Sequence, residues 1–217
     1  MFQLYIADKN YSSWSMRPWV LMKAARIDFQ ETTIRLAEPG TAAAIAAVSP
    51  SRTLPVLHDG NLRIWDSLAI IEYLDDLYPQ AGVWPSSTNV RAVARSVAAE
   101  MHAGFAALRQ HMPMNIRARF PGHGRNAEVD ADIARIVGIW QHSLDSFGGP
   151  YLYGQEFLAP DAMFAPVVMR FITYGVELPP DCQAYVQAVL NHPAVAAWVL
   201  DAMADPKAIE RYDQLPA

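Results

Sequence analysis

Residues 80–87 split this chain into two halves of different texture, and the split narrows the folds open to it more than any other feature. The stretch holds Gly82, Pro85, Ser86 and Ser87, residue types that favour turns and connections over regular elements. Before it, runs with a period of two alternate with runs of helical period. Residues 2–6 alternate and read as a strand. A helix follows to about residue 26, capped by Ser15, with Met16, Trp19, Val20, Ala24 and Ile27 at helical spacing. Pro18 lies in its first turn, where a missing N–H costs little. Residues 29–36 alternate as a second strand, 42–48 form a short alanine-rich helix, and 54–58 make a third strand. Asp59-Gly60 is a strong turn signal that folds 62–65 back as a hairpin partner. A helix over 67–77 then ends at Tyr78-Pro79. After residue 87 the pattern is helical throughout, over 89–111, 128–147, 161–174, 180–191 and 193–204. Prolines and glycines interrupt it across 113–124.

The order β-α-β-α-β-β-α is that of a thioredoxin-like domain. The expected architecture is therefore an α/β domain over residues 1–80 followed by an all-helical domain over 88–217. A hydrophobic content of 52% against 18% charged residues supports a well-buried core rather than disorder. The net charge of −5 is spread evenly over both halves and forms no basic face, which argues against nucleic-acid binding. The longest apolar run, 162–176, is interrupted by Arg170 and reads as a buried helix rather than a membrane span. The N-terminus lacks the features of a signal peptide, so a soluble, cytoplasmic protein is expected. A single cysteine, Cys182, excludes an internal disulfide, a CxxC pair and a cysteine-based zinc site. The six histidines show neither HxxxH nor HExxH spacing, and no metal site is expected.

Three short motifs carry chemistry. The first is Tyr11-Ser12-Ser13-Trp14-Ser15-Met16-Arg17, a hydroxyl cluster between strand and helix. Hydroxyls and free N–H groups at a helix start can stabilise an anion such as a thiolate, the nucleophilic form of a thiol. Ser12, Ser13 and Ser15 are all candidates on that ground. The second is Thr53-Leu54-Pro55-Val56-Leu57, which sets a proline inside a strand-like run and so removes a ladder donor. The third is Trp65-Asp66-Ser67, an acid and a hydroxyl at a helix start, suited to hold a carboxylate.

The order and spacing of these motifs resemble the glutathione-binding half of cytosolic glutathione S-transferases, in particular the serine-type, zeta-like classes with their Ser-Ser-Cys-Ser-x-Arg motif. The resemblance implies that Ser12 activates the thiol, with Ser13 and Ser15 beside it. It implies a cis bond at Leu54–Pro55 that turns the Leu54 backbone toward the peptide, and a γ-glutamyl clamp at Asp66 and Ser67. Arg52 would reach the glycyl carboxylate, and Arg17 matches the family's first-helix arginine. Trp14 replaces the motif's cysteine, a departure from isomerases of the zeta type. Gly154 to Asp161 resembles the family's helix-capping box, with Leu158 where a capping serine should stand. The implied function is a homodimeric transferase joining glutathione, its co-substrate, to small apolar electrophiles. A glutathione-dependent isomerase or reductase and a non-catalytic glutathione-transferase-like binding protein are the alternatives. Met112 and Met114 are candidates for the acceptor pocket, and Cys182 reads as structural.

Overall fold

The structure, a computed structural model, describes residues 1–214; residues 215–217 of the expected helical domain lie outside the described residues. The first half builds a four-stranded sheet in the order β2-β1-β3-β4. Strand β1 (Phe2–Ile6) runs parallel to β2 (Phe29–Thr33) and antiparallel to β3 (Val56–Asp59), which forms a hairpin with β4 (Leu62–Trp65). Helix α1 (Ser13–Ala24) joins β1 to β2, α2 (Thr41–Val48) precedes β3, and α3 (Ser67–Leu77) follows β4. The expected order of elements is therefore the order found. β1 buries Phe2, Leu4 and Ile6 on one face, as its alternation requires. β3 begins two residues later than expected because Pro55 cannot donate to the ladder.

The second half is helical. Helix α4 (Thr88–Ala103) and α5 (Ala106–His111) lie where one long helix was expected. The break is local: Phe105 adopts φ +59°, and a Cβ at Gly104 would meet the Glu100 carbonyl oxygen at 2.8 Å. Arg109 folds back to donate to the carbonyls of Met101, His102 and Gly104, satisfying the open end of α4. Then come α6 (Ala127–Phe147), α7 (Ala159–Tyr174), α8 (Pro180–Asn191), α9 (Pro193–Ala204) and the short α10 (Glu210–Asp213). No helix among the described residues is long and apolar enough to cross a membrane.

Helix α7 is the spine of the molecule. It is apolar around nearly its whole circumference and only Ile172 is not buried, the signature of a helix enclosed on all sides. It packs against both α1 and α4 and so belongs to the cores of both halves. Its first turn is held by Asp161, whose carboxylate accepts from the backbone N–H of Leu158 (2.9 Å) and Leu152 (3.0 Å). Leu158 itself offers no side-chain cap, and the Ala159 N–H donates to the Val83 carbonyl at 2.8 Å. Cys182 is buried, and burial with Asp181 alongside pushes its thiol up to about 12, which leaves it inert as a nucleophile.

Candidate active site

The turn between β1 and α1 sets the first group of residues. The N–H groups of Tyr11 and Ser12 both bond the Asp8 carbonyl, at 3.0 and 2.9 Å, and the helix starts at once. It starts at Ser13, with Ser12 in the capping position, and not behind a Ser15 cap as the hydroxyl pattern suggested. Ser15 is fully buried one turn in. Its Oγ accepts from the Ala7 N–H (3.1 Å) and from the Ser12 hydroxyl (2.8 Å), pinning the end of β1 to the helix. Ser15 lines neither cavity described below, because those bonds turn it toward the sheet. Ser13 is buried, its Oγ accepting from Arg170 Nη2 at 3.1 Å.

Two adjoining cavities open beside this turn and share Trp14, Thr53 and Leu54. The smaller, about 220 Å³, is completed by Pro55, Asp66 and Ser67. The Leu54–Pro55 bond is cis, and the Leu54 backbone lies outside the ladder, which begins at Val56. The Ser67 hydroxyl is buried without a partner among the described residues. Asp66 adopts φ +75°, a region that side-chain-bearing residues seldom occupy. Its Oδ1 accepts from Leu68 N–H (2.8 Å) and Ala69 N–H (3.4 Å), so Asp66 caps α3 itself and takes the N–H groups expected to face a ligand. Its Oδ2 meets His102 Nε2 of α4 at 2.6 Å. Arg52 is exposed and lines neither cavity, since its own φ of +60° carries it outside the wall that Thr53 and Leu54 form.

The larger cavity, about 400 Å³, lies between the halves and takes in Ser12 and Ser13. Leu36, Ile45 and Met114 give it an apolar side, while Arg109 and Arg170 give it a basic one. Met114 reaches it as expected; Met112 is buried in the core and does not. Tyr212 of α10 closes one end, stacked on Tyr11 at 5.4 Å between ring centroids. That closure is latched by Asn115, which donates to the Tyr212 carbonyl and to Asp213, and by the Tyr11 hydroxyl, which donates to Asp213 at 2.8 Å.

Trp14 separates the two cavities. The guanidinium of Arg17 lies 4.3 Å from its ring centre and that of Arg109 lies 4.7 Å away, both within cation–π range. Arg17 is fully buried. Its Nε donates to the Met163 carbonyl, but both terminal nitrogens have no partner among the described residues. Burial, reinforced by the nearby charges of Arg109 and Arg170, holds its pKa well below the ordinary arginine value. Arg170 is likewise buried, and burial brings it down to about 10. Its hydrogen bonds go to Ser13 and to the carbonyls of Met112 and Pro166, none of them anionic. The site thus carries three guanidinium groups, and Asp66 is the carboxylate that offsets Arg17.

Of the residues the sequence singled out, the structure brings Ser12, Ser13, Leu54, Pro55, Asp66 and Ser67 to the two cavities. Sequence reasoning missed Thr53, His102, Arg109, Arg170 and Tyr212. Arg170 did leave a signal, as one cation inside an apolar helix. Thr53 stands beside Leu54 within a motif, while His102, Arg109 and Tyr212 are joined to the site only by tertiary packing.

A family model described as the N-terminal domain of glutathione S-transferases matches residues 11–77, the segment that contains all three motifs. Among full-length relatives, the maleylacetoacetate isomerase of Rattus norvegicus is 24% identical over 180 residues, covering 82% of this chain and 81% of its own. Two solved structures share the fold. A glutathione transferase homologue from Burkholderia gl BGR1, with bound glutathione, aligns with a TM-score of 0.72 at 24% identity, over 94% of this chain and 99% of that one. Maleyl pyruvate isomerase, a bacterial zeta-class glutathione S-transferase, aligns with a TM-score of 0.73 at 21% identity, over 95% and 100%. A thioredoxin-like sheet domain joined to a helical domain around α7 is the glutathione transferase fold. The chain has that fold, and its first half carries the match to the family's N-terminal domain.

Proposed function

We propose that the protein is a glutathione transferase that binds the tripeptide in the smaller cavity and presents its sulfur at Ser12, beneath the larger one. The observation that carries this reading is the unpartnered, buried Ser67 hydroxyl facing a cavity whose other walls are the Leu54 backbone and Asp66. A buried polar group without a partner is costly, and the γ-glutamyl carboxylate supplies the missing one. Asp66 faces the ammonium of the same residue. At Ser12 the hydrogen bonds run in series: Ala7 N–H donates to Ser15 Oγ, which lies 2.8 Å from Ser12 Oγ. When a thiolate arrives, Ser12 turns its proton to sulfur and accepts from Ser15, and each bond polarises the next. The charge of Arg17 behind Trp14, offset by Asp66 but bonded to no anion, favours the thiolate further. The domains act as residues 1–80 for the peptide and 88–217 for the acceptor. The protein works in the cytoplasm as a homodimer, and Leu62 and Trp65 on edge strand β4 with Val93 on α4 are exposed apolar side chains suited to such an interface.

The basic wall of the larger cavity favours a second reading. Arg109 and Arg170 line it, with no carboxylate among the described residues of its wall, which suits an acceptor bearing an acid group and an isomerisation such as the rat relative's name states. Retention on immobilised glutathione, followed by turnover assays with a neutral aryl halide and with an unsaturated keto acid, separates the readings. Conjugation of the aryl halide supports the transferase, isomerisation of the acid supports the second reading, and retention without turnover of either leaves a binding protein.

Ser67→Ala is expected to weaken glutathione binding at least tenfold, since a charge-assisted hydrogen bond contributes about 1.5–3 kcal/mol and each 1.4 kcal/mol is a factor of ten. Turnover at saturating glutathione should survive. Calorimetric titration giving an unchanged dissociation constant removes Ser67 from the site.

A further inference from the structure

We infer that His102 is the positioning residue for recognition of the ligand's α-ammonium, acting through Asp66 from the other half of the molecule. The inference rests on the glutathione reading above and deepens it. All six residues lining the smaller cavity, from Trp14 to Ser67, belong to the first half. Asp66 is the one carboxylate among them, and its backbone is held in the left-handed region at φ +75°. Such a conformation in a non-glycine residue persists only where its surroundings impose it. Two sets of bonds do so here. The helix start of α3 takes Oδ1, and His102 takes Oδ2 at 2.6 Å. The first set anchors one oxygen along the helix axis but leaves the carboxylate free to rotate about it. The second removes that freedom.

His102 is itself fixed. It sits in the last turn of α4, and the carbonyl at its own position accepts from Arg109. Its ring packs edge-on against Trp14, with centroids 5.3 Å apart at 70°. The two residues that bracket the cavity mouth, Trp14 and Asp66, are therefore registered against one side chain of the helical half. A carboxylate oxygen has two lone pairs, so Oδ2 retains an acceptor site for an ammonium when His102 Nε2 donates to the other. Without His102 the carboxylate swings toward solvent, and the cost falls on the ammonium alone. The peptide's carboxylate, backbone and sulfur contact other groups.

The test is a comparison of two ligands by calorimetry: glutathione, and its deaminated analogue with a glutaryl group in place of γ-glutamate. Wild-type protein should bind glutathione about tenfold tighter than the analogue, as expected for one charge-assisted hydrogen bond. His102→Ala should bring that ratio to within about twofold of unity, with the analogue's own affinity unchanged. His102→Gln, whose amide can donate to Asp66, should restore most of the ratio. A merely structural loss would weaken both ligands together. Retention of the full ratio in His102→Ala, or an equal loss for both ligands, overturns the inference. Failure of wild-type protein to bind glutathione overturns the parent reading and this one with it, and is seen before any variant is made.

Discussion

Ser12→Ala is expected to lower turnover about 100-fold while leaving glutathione affinity nearly unchanged, the outcome for a group that stabilises charge on the reacting atom. Of the three serines in the cluster, Ser12 is half-buried on the cavity wall. Ser13 is committed to Arg170, and Ser15 is buried beneath both cavities. Ser12 also stands at the start of α1, where the first N–H groups of the helix carry the positive end of its dipole. Loss of its hydroxyl leaves the sulfur with the helix start and the arginine field but no direct donor. Ser15→Ala should cost less, because it removes only the support behind Ser12 and a bond to Ala7. Steady-state kinetics at saturating glutathione read the difference. If Ser13→Ala or Ser15→Ala proves inactive while Ser12→Ala keeps its full rate, the assignment of Ser12 is wrong.

Asp161→Ala should destabilise the protein by about 2–4 kcal/mol, a large share of the 5–15 kcal/mol typical of a folded domain. The two backbone N–H groups from which Asp161 accepts are buried, and its truncation removes the acceptor of both. Leu158 cannot compensate, and α7 is the element on which both cores depend. The effect should depend on pH with a definite sign. Burial pushes the Asp161 carboxyl from an ordinary 3.8 up to about 7. A group whose pKa is raised by folding contributes stability that is fully present below the unfolded value and is lost as the pH rises through the folded one. The cost of Asp161→Ala should therefore be larger at pH 5 than at pH 8. Urea unfolding at the two values measures both. A cost below 1 kcal/mol at pH 5, or one that grows toward pH 8, contradicts this account of the cap.

The first half was legible in the sequence because its signals are local. Alternation in residues 2–6, a turn at Asp59-Gly60 that returns 62–65 as a hairpin partner and a proline in an apolar run each act within a few residues. The exchange of roles between Ser12 and Ser15 was not legible, since either spacing satisfies a helix start. Only the backbone N–H of Ala7, eight residues back, decides which hydroxyl is turned inward. The split of the long helix at Gly104 was hidden for a similar reason. Alanine-rich sequence favours continuity, and the break is held by Arg109 returning to the helix end. His102 and Arg109 pack against a Trp14 that is about ninety residues distant in sequence, beyond the reach of any pattern in a short window.

The polar contacts across the two halves also bear on how such chains can diversify. Arg17 reaches the Met163 carbonyl, Arg170 reaches Ser13, His102 reaches Asp66, and Arg109 stacks on Trp14. Each pair takes one member from either side of the linker. A chimera that grafts the first eighty residues onto the helical half of a distant relative would inherit half of every pair, including the buried cations without their seats. New acceptor preferences are more accessible through changes at Leu36, Ile45, Met114 and Tyr212, which touch the cavity and carry none of these cross-links.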